Sequence, residues 1–210
     1  MKFFVNFLSA FRIAASFAII PTLMFQMYWT TFILYALAAI SDWFDGYLAR
    51  KYNVCTKIGG VMDHIGDKLL VANTLIILSV VLMFLLPAFI PGFPSWFVIV
   101  PVIIMIAREL YISGLREFLG TQKIEMPVPK ARFSVGKIKT TFQMISIGAF
   151  LLIFAIGTLI KPDTDSRILM YMVYALPQIG IYGLWISLIA SVWSATQYTK
   201  TFLGHMKKIK

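Results

Sequence analysis

Charge is scarce in this chain. Asp, Glu, Lys and Arg make up 13% of its 210 residues while 60% are hydrophobic, where a soluble domain carries about a quarter charged residues. A soluble globular fold is thereby excluded, and a mean hydropathy of +0.83 places the chain in a bilayer. Cysteine is nearly absent: the lone Cys55 has no partner for an intrachain disulfide or a thiolate metal site. No small-residue cleavage site is evident and Arg12 interrupts the first apolar stretch, so no removable signal peptide is read. Acidic residues are the rarest charge, nine against 19 Lys and Arg, for a net +10. That excess would suit nucleic acid if it formed one basic face, but it follows membrane topology instead.

Apolar runs long enough for the roughly 20 residues of a spanning helix recur near 11–28, 31–48, 61–86, 95–115, 135–159 and 176–198. The expected fold is therefore an all-α integral membrane domain over 1–210 with six transmembrane helices. Phe3, Phe4, Phe7 and Leu8 predict a short interfacial helix over about 1–10 ahead of the first span. With the first segment starting inside, Lys2 and Arg12, then Arg50, Lys51 and Lys57, then the basic residues from Arg116 to Lys139, then those from Lys200 to Lys210 fall on one side. The positive-inside rule makes that side the cytoplasm. The opposite connections support this: Met27 to Thr31 and Leu86 to Pro94 are uncharged, and Lys161 and Arg167 are offset by Asp163 and Asp165. The chain thus reads as a multi-pass protein of the cytoplasmic (inner) membrane with both termini inside, its basic loops facing anionic membrane lipids.

Four of the nine acids, Asp42, Asp45, Asp63 and Asp67, fall within 26 positions at the inner ends of the second and third spans. Carboxylates near hydrocarbon are expensive unless paired or metal-bound, so such a cluster signals function. Asp42 and Asp45 are spaced i, i+3, and Asp63 and Asp67 i, i+4, which puts each pair on one helix face. A helical hairpin turning near Arg50 to Lys57 would bring the two faces together. Oxygen donors without His or Cys suit hard ions such as Mg²⁺ or Mn²⁺ rather than zinc. Four carboxylates repel one another unless cations join them, and two divalent ions bring the charge close to balance. Such a pair of ions can clamp the attacking and leaving oxygens of a phosphoryl displacement. Gly46, Ala49 and Gly59 leave room for a substrate, and Arg50 offers a planar fork for its phosphate. A single Asp at a helix end is most often a cap; four in register with Arg50 and three small residues are not.

The run Asp42-x2-Asp45-Gly46-x2-Ala49-Arg50-x8-Gly59-x3-Asp63-x3-Asp67 resembles the full signature of the CDP-alcohol phosphotransferases, agreeing at all eight fixed positions. The resemblance implies a six-helix membrane fold, a homodimer, and a site open to the cytoplasm with two Mg²⁺ or Mn²⁺ ions. It implies that Asp42 and Asp63 bridge both ions, that Asp45 completes one metal site, and that Asp67 completes the other while serving as general base. Gly46, Ala49, Arg50 and Gly59 would contact the CDP-lipid, CDP-diacylglycerol. Asn6-x2-Ser9-x2-Arg12 is similar to the family's amino-terminal element and would help bind the nucleotide end, and Thr56 would contact the CDP phosphates or the nucleotide. Where Pro and Ala are expected after Asp63, the chain has His64 and Gly66. His64 reads either as a metal or phosphate contact or, as is commoner for a lone His beside a carboxylate, as a packed or interfacial side chain.

Ala107-Arg108-Glu109, Ser113-Gly114-Leu115-Arg116 and Gly136-Lys137-Ile138-Lys139-Thr140-Thr141-x-Gln143 resemble the branch that makes phosphatidylglycerophosphate. The acceptor so implied is glycerol 3-phosphate, whose dianion Arg108, Arg116, Lys137 and Lys139 would neutralise. A bare alcohol such as serine or inositol would not need four cations, although basic residues at inner helix ends also serve as topology markers. A phosphatidylinositol-phosphate or phosphatidylserine synthase is the alternative within the family. Outside it, a divalent-cation transporter explains the intramembrane acids but not the glycines, Ala49 and Arg50 at their spacings, and no inverted repeat is visible. A non-catalytic scaffold has no use for four buried carboxylates. No nucleic-acid partner is expected.

Overall fold

In a computed structural model of the chain, six α-helices follow one another: α1 (Lys2–Met24), α2 (Tyr28–Tyr52), α3 (Lys57–Phe89), α4 (Trp96–Thr121), α5 (Val135–Gly157) and α6 (Arg167–Ile209). The structure describes residues 2–52, 57–90, 92–121, 135–160 and 166–209, with side chains except at 2–5, 43, 45–52, 57–58, 88–89, 135–137, 205 and 207–209. Among the described residues no β-strand forms. Within the described residues, five stretches are long and apolar enough to cross a membrane: Asn6–Met24, Gly59–Pro87, Trp96–Thr121, Ile138–Gly157 and Arg167–Gly204. In hydrocarbon every backbone polar group must be satisfied within the chain, which helices achieve locally. The protein is an all-helical, multi-pass membrane protein.

Helix ends differ from those expected from hydropathy. No break separates a helix over about 1–10 from the first span, since α1 runs unbroken from Lys2 to Met24. Likewise α6 continues from Arg167 to Ile209, well past both ends of the apolar run expected at about 176–198. Hydropathy reports where lipid contact ends, whereas the i to i−4 hydrogen bonds of a helix continue into water until a breaker stops them. Pro177 inside α6 does not stop it, which neighbouring helices make tolerable in a membrane bundle.

Packing follows the chain only in part. α1 packs on both α2 and α3, α5 packs on α6 and α2, and α4 packs on α6. Among the described residues α2 and α3 touch directly to a small extent, their acid-bearing ends meeting toward the expected turn, and α1 lies against both. Fully buried Ala15, Ile19 and Leu23 of α1 and Leu70, Leu75 and Leu78 of α3 belong to the same apolar core.

Without a hydrophobic drive between helices in lipid, close packing and interhelical hydrogen bonds hold the bundle. The Tyr35 hydroxyl donates to the Met144 carbonyl at 3.2 Å, joining α2 to α5, and Trp185 Nε1 donates to the Phe97 carbonyl at 3.0 Å, joining α6 to α4. Ser146 Oγ donates to the Gly180 carbonyl at 2.5 Å, joining α5 to α6. A Cβ placed on Gly180 would lie 2.6 Å from Cζ of Phe150, a ring that is 0% exposed and has nowhere to retreat. Gly180→Ala is therefore expected to destabilise the protein by about 1–3 kcal/mol, the usual cost of overpacking. Thermal unfolding in detergent checks this, and Phe150→Leu in the same chain should recover much of the loss; an unchanged melting temperature for Gly180→Ala would contradict the packing.

Candidate active site

The acids on α2 and α3 converge. Asp42, Asp63 and Asp67 each offer a carboxylate oxygen, and these oxygens all lie within 4.8 Å of one another. The spacings account for it: Asp63 and Asp67 stand one turn apart on α3, and Asp42 of α2 meets them beside Arg12 of α1. Asp45 lies three positions after Asp42 on α2, but its side chain falls outside the described residues, as do those of Gly46, Ala49 and Arg50. Thr56 lies outside the described residues altogether. Asn6 and Ser9 sit about two turns and one turn before Arg12 on α1, Ser9 fully buried. Gly59, one turn before Asp63, is buried as well.

Arg12 ties the cluster to α1. Its Nη1 donates to Asp63 Oδ1 at 2.9 Å and to Asp67 Oδ1 at 2.5 Å, and lies 3.0 Å from Asp42 Oδ1. The Arg12 side chain is 0% exposed, so its charge is fully desolvated and depends on these carboxylates. The resemblance puts Arg12 in an element that binds the nucleotide end; its contact with three aspartates is new. A guanidinium nitrogen carries two protons, so three carboxylates cannot each be fully served by it. One guanidinium among three carboxylates also leaves net negative charge. Clustered hard oxygen donors, partly open to solvent and already gathered round a cation, fit divalent ions such as Mg²⁺ or Mn²⁺.

The two departures in this stretch are accommodated. Gly66 is buried against α1, where a Cβ would stand 3.5 Å from Arg12 Cδ, an ordinary contact. His64 is exposed and is not one of the three converging groups.

Beside the acids lies a cavity of about 450 Å³ that shares Asp67 with them and is otherwise walled by α3, α4, α5 and α6. Its charged lining is mostly cationic, with Lys68, Arg108, Arg116 and Lys139 against Asp67 and Glu109. Three of the four cations expected at an acceptor site are thus brought together, while the side chain of Lys137 falls outside the described residues. Each cation is held. Lys68 Nζ donates to Ser113 Oγ at 2.7 Å, and Arg116 Nη2 to the Tyr198 hydroxyl at 2.9 Å with its guanidinium 5.1 Å from that ring's centre. Arg108 donates through Nε to the Ser191 carbonyl at 3.2 Å and through Nη2 to Ser194 Oγ at 2.8 Å. Lys139, 7% exposed, pairs with Glu109. Lys68 and Tyr198 had not been picked out by sequence reasoning, and Glu109 only as part of the Ala107-Arg108-Glu109 run, with no role. Lys68 stands next to Asp67 in the chain, a signal that a lysine at a helix's inner end hides among topology markers.

A cluster of hard carboxylates and a cationic cavity with one aspartate in common can hold a diphosphate and a second phosphate close together. A CDP-alcohol phosphatidyltransferase family model matches residues 3–193. Three relatives are each named CDP-diacylglycerol–glycerol-3-phosphate 3-phosphatidyltransferase, the plant protein with the added number 2. That of Rickettsia bellii is 33% identical over 202 residues, covering 93% of this chain and 92% of the relative. The Arabidopsis thaliana protein is 34% identical over 192 residues, covering 90% and 75%. The Escherichia coli protein is 31% identical over 173 residues, covering 81% and 78%.

Proposed function

Because the chain belongs to the CDP-alcohol phosphatidyltransferase family, a family of membrane transferases, we propose that it is a phosphatidylglycerophosphate synthase. It moves the phosphatidyl group of CDP-diacylglycerol to sn-glycerol 3-phosphate and releases CMP. The observation that carries this reading is the single cavity in which Asp67 of the acidic cluster and four cations face one another. The names of the relatives support the same acceptor.

Asp42, Asp45, Asp63 and Asp67 would hold two Mg²⁺ or Mn²⁺ ions, which when bound supply charge neutralisation for the diphosphate. Arg50, with Gly46, Ala49 and Gly59 giving room, takes the CDP-lipid's phosphates, and Asn6, Ser9 and Thr56 take its nucleotide end. Arg108, Arg116, Lys137 and Lys139 bind the acceptor's phosphate, which points its free hydroxyl at Asp67. Asp67 accepts the hydroxyl proton as that oxygen forms its bond to the phosphorus bearing the diacylglycerol. The bond from that phosphorus to CMP breaks, and CMP leaves with the electron pair. Holding acceptor and lipid in one cavity makes the attack effectively intramolecular. The acyl chains stay in the bilayer throughout.

The whole chain forms one domain of six spans, α2 counted among them, in the cytoplasmic membrane. Both termini and the site face the cytoplasm, and two copies pair as a homodimer. The charge-free outer connections and the basic inner ones support this orientation.

The test offers purified protein CDP-diacylglycerol and Mg²⁺ with glycerol 3-phosphate, serine, inositol or inositol phosphate in separate reactions. Phosphatidylglycerophosphate and CMP are expected from the first alone; product from another acceptor and none from glycerol 3-phosphate would overturn the assignment. Lys139→Gln should raise the KM for glycerol 3-phosphate about 10- to 100-fold, the worth of a charge-assisted hydrogen bond, with a smaller change in kcat. An unchanged KM would remove Lys139 from the acceptor site.

A further inference from the structure

One carboxylate of the cavity takes part in neither the acidic cluster nor the transfer chemistry. Glu109 Oε1 accepts from Arg108 Nη1 at 2.8 Å and is paired with Lys139 Nζ, linking α4 to α5. The two cations are 10% and 7% exposed, whereas Glu109 is 32% exposed. Arg108 is pinned to α6 through Nε and Nη2, so Nη1 is the donor that meets the carboxylate. The cations are fixed and desolvated, and the anion between them is the more solvated partner.

Two buried cations around one carboxylate are only half neutralised, which leaves the place attractive to a stronger anion. A single carboxylate oxygen here receives the two contacts that an oxygen of a phosphate would receive. A neutral hydroxyl could not replace it, because displacing Glu109 without bringing charge would strand Lys139 in a buried place. A phosphate dianion could.

We propose that Glu109 is a tethered stand-in for the acceptor's phosphate. It keeps Arg108 and Lys139 in register between turnovers and yields Lys139 when the phosphate arrives, so acceptor binding is an exchange of anions. This rests on the cavity being the acceptor-phosphate site. Glu109 is then a specificity residue: it lowers the affinity for every acceptor but excludes those that carry no strong anion.

The exchange makes a prediction opposite in sign to that of damage. In Glu109→Gln the competing charge is gone, and inorganic phosphate titrated calorimetrically into the Mg²⁺-loaded protein in detergent should bind about tenfold more tightly, as removal of one nearby unit charge implies. A misplaced Lys139 or a loosened fold would weaken binding instead. Phosphate affinity that is unchanged or weaker overturns the proposal. Where Glu109→Gln does not fold, Glu109→Asp, which draws the charge back by one methylene, is read in the same way; about threefold tightening is expected, and none overturns it. The acceptor panel on the unaltered protein separates the two ideas. Tighter phosphate binding in a protein that does not use glycerol 3-phosphate would sustain the exchange and sink the acceptor, and the reverse pattern would sink the exchange alone.

Discussion

Asp67→Asn is expected to lower kcat by about 10²- to 10⁴-fold, the range in which a positioned general base contributes, while CDP-diacylglycerol binding falls much less. Among the described residues, Asp67 alone belongs both to the converging carboxylates and to the cationic cavity. Asn preserves its shape and one oxygen but cannot take up a proton. Asp42 touches the same guanidinium but does not line that cavity. Asp42→Asn should therefore be rescued in part by raised Mg²⁺, whereas Asp67→Asn should not. CMP release in a single turnover, followed with saturating acceptor, separates chemistry from release of the lipid product. Near-normal release by Asp67→Asn with Mg²⁺ present would remove Asp67 from the role of base.

How far the site could be read from the sequence depended on whether its logic was local. The pairs on α2 and α3 were legible because i, i+3 and i, i+4 spacings fix a common face whatever surrounds the helix. Lys139 and Arg108 were legible as cations near the inner face, but not as partners of Glu109, because a contact between α4 and α5 leaves no trace in spacing. Helix ends were the least legible. Charges at the end of an apolar run mark the edge of lipid, and α1 and α6 pass that edge unbroken. The α2 to α3 hairpin expected from chain order does bring the acid-bearing faces together, but both helices pack far more extensively on α1 than on each other. One signal for that arrangement was present. Arg12 sits in an apolar run with no acid within four positions on its own helix, and a charge so placed must find its partner on another. The nearest rich source of carboxylate was the acidic cluster, so Arg12 itself foretold which helix lies against α2 and α3.

That placement gives Arg12 a weight beyond any contact with substrate. Removing one partner of a buried ion pair costs about 3–5 kcal/mol, and here the arginine is fully buried while Asp42, Asp63 and Asp67 are 31%, 45% and 42% exposed. Water screens the carboxylates in part, so Arg12→Gln should cost somewhat less, about 2–4 kcal/mol. The loss has two separable components. Gln leaves the side chain's volume nearly intact, so packing on α3 changes little, while the three carboxylates lose the cation that offsets their repulsion. Divalent ions can replace that cation; they cannot replace packing. With a chelator present, Arg12→Gln should melt well below the unaltered protein, and Mg²⁺ should raise its melting temperature by more than it raises that of the unaltered protein. Arg12→Lys, which keeps the charge but loses the planar fork, should fall between the two. A melting deficit of the same size with chelator and with Mg²⁺ would mean that Arg12 acts through its packed stem, and the acids would then need another account of how they are held together.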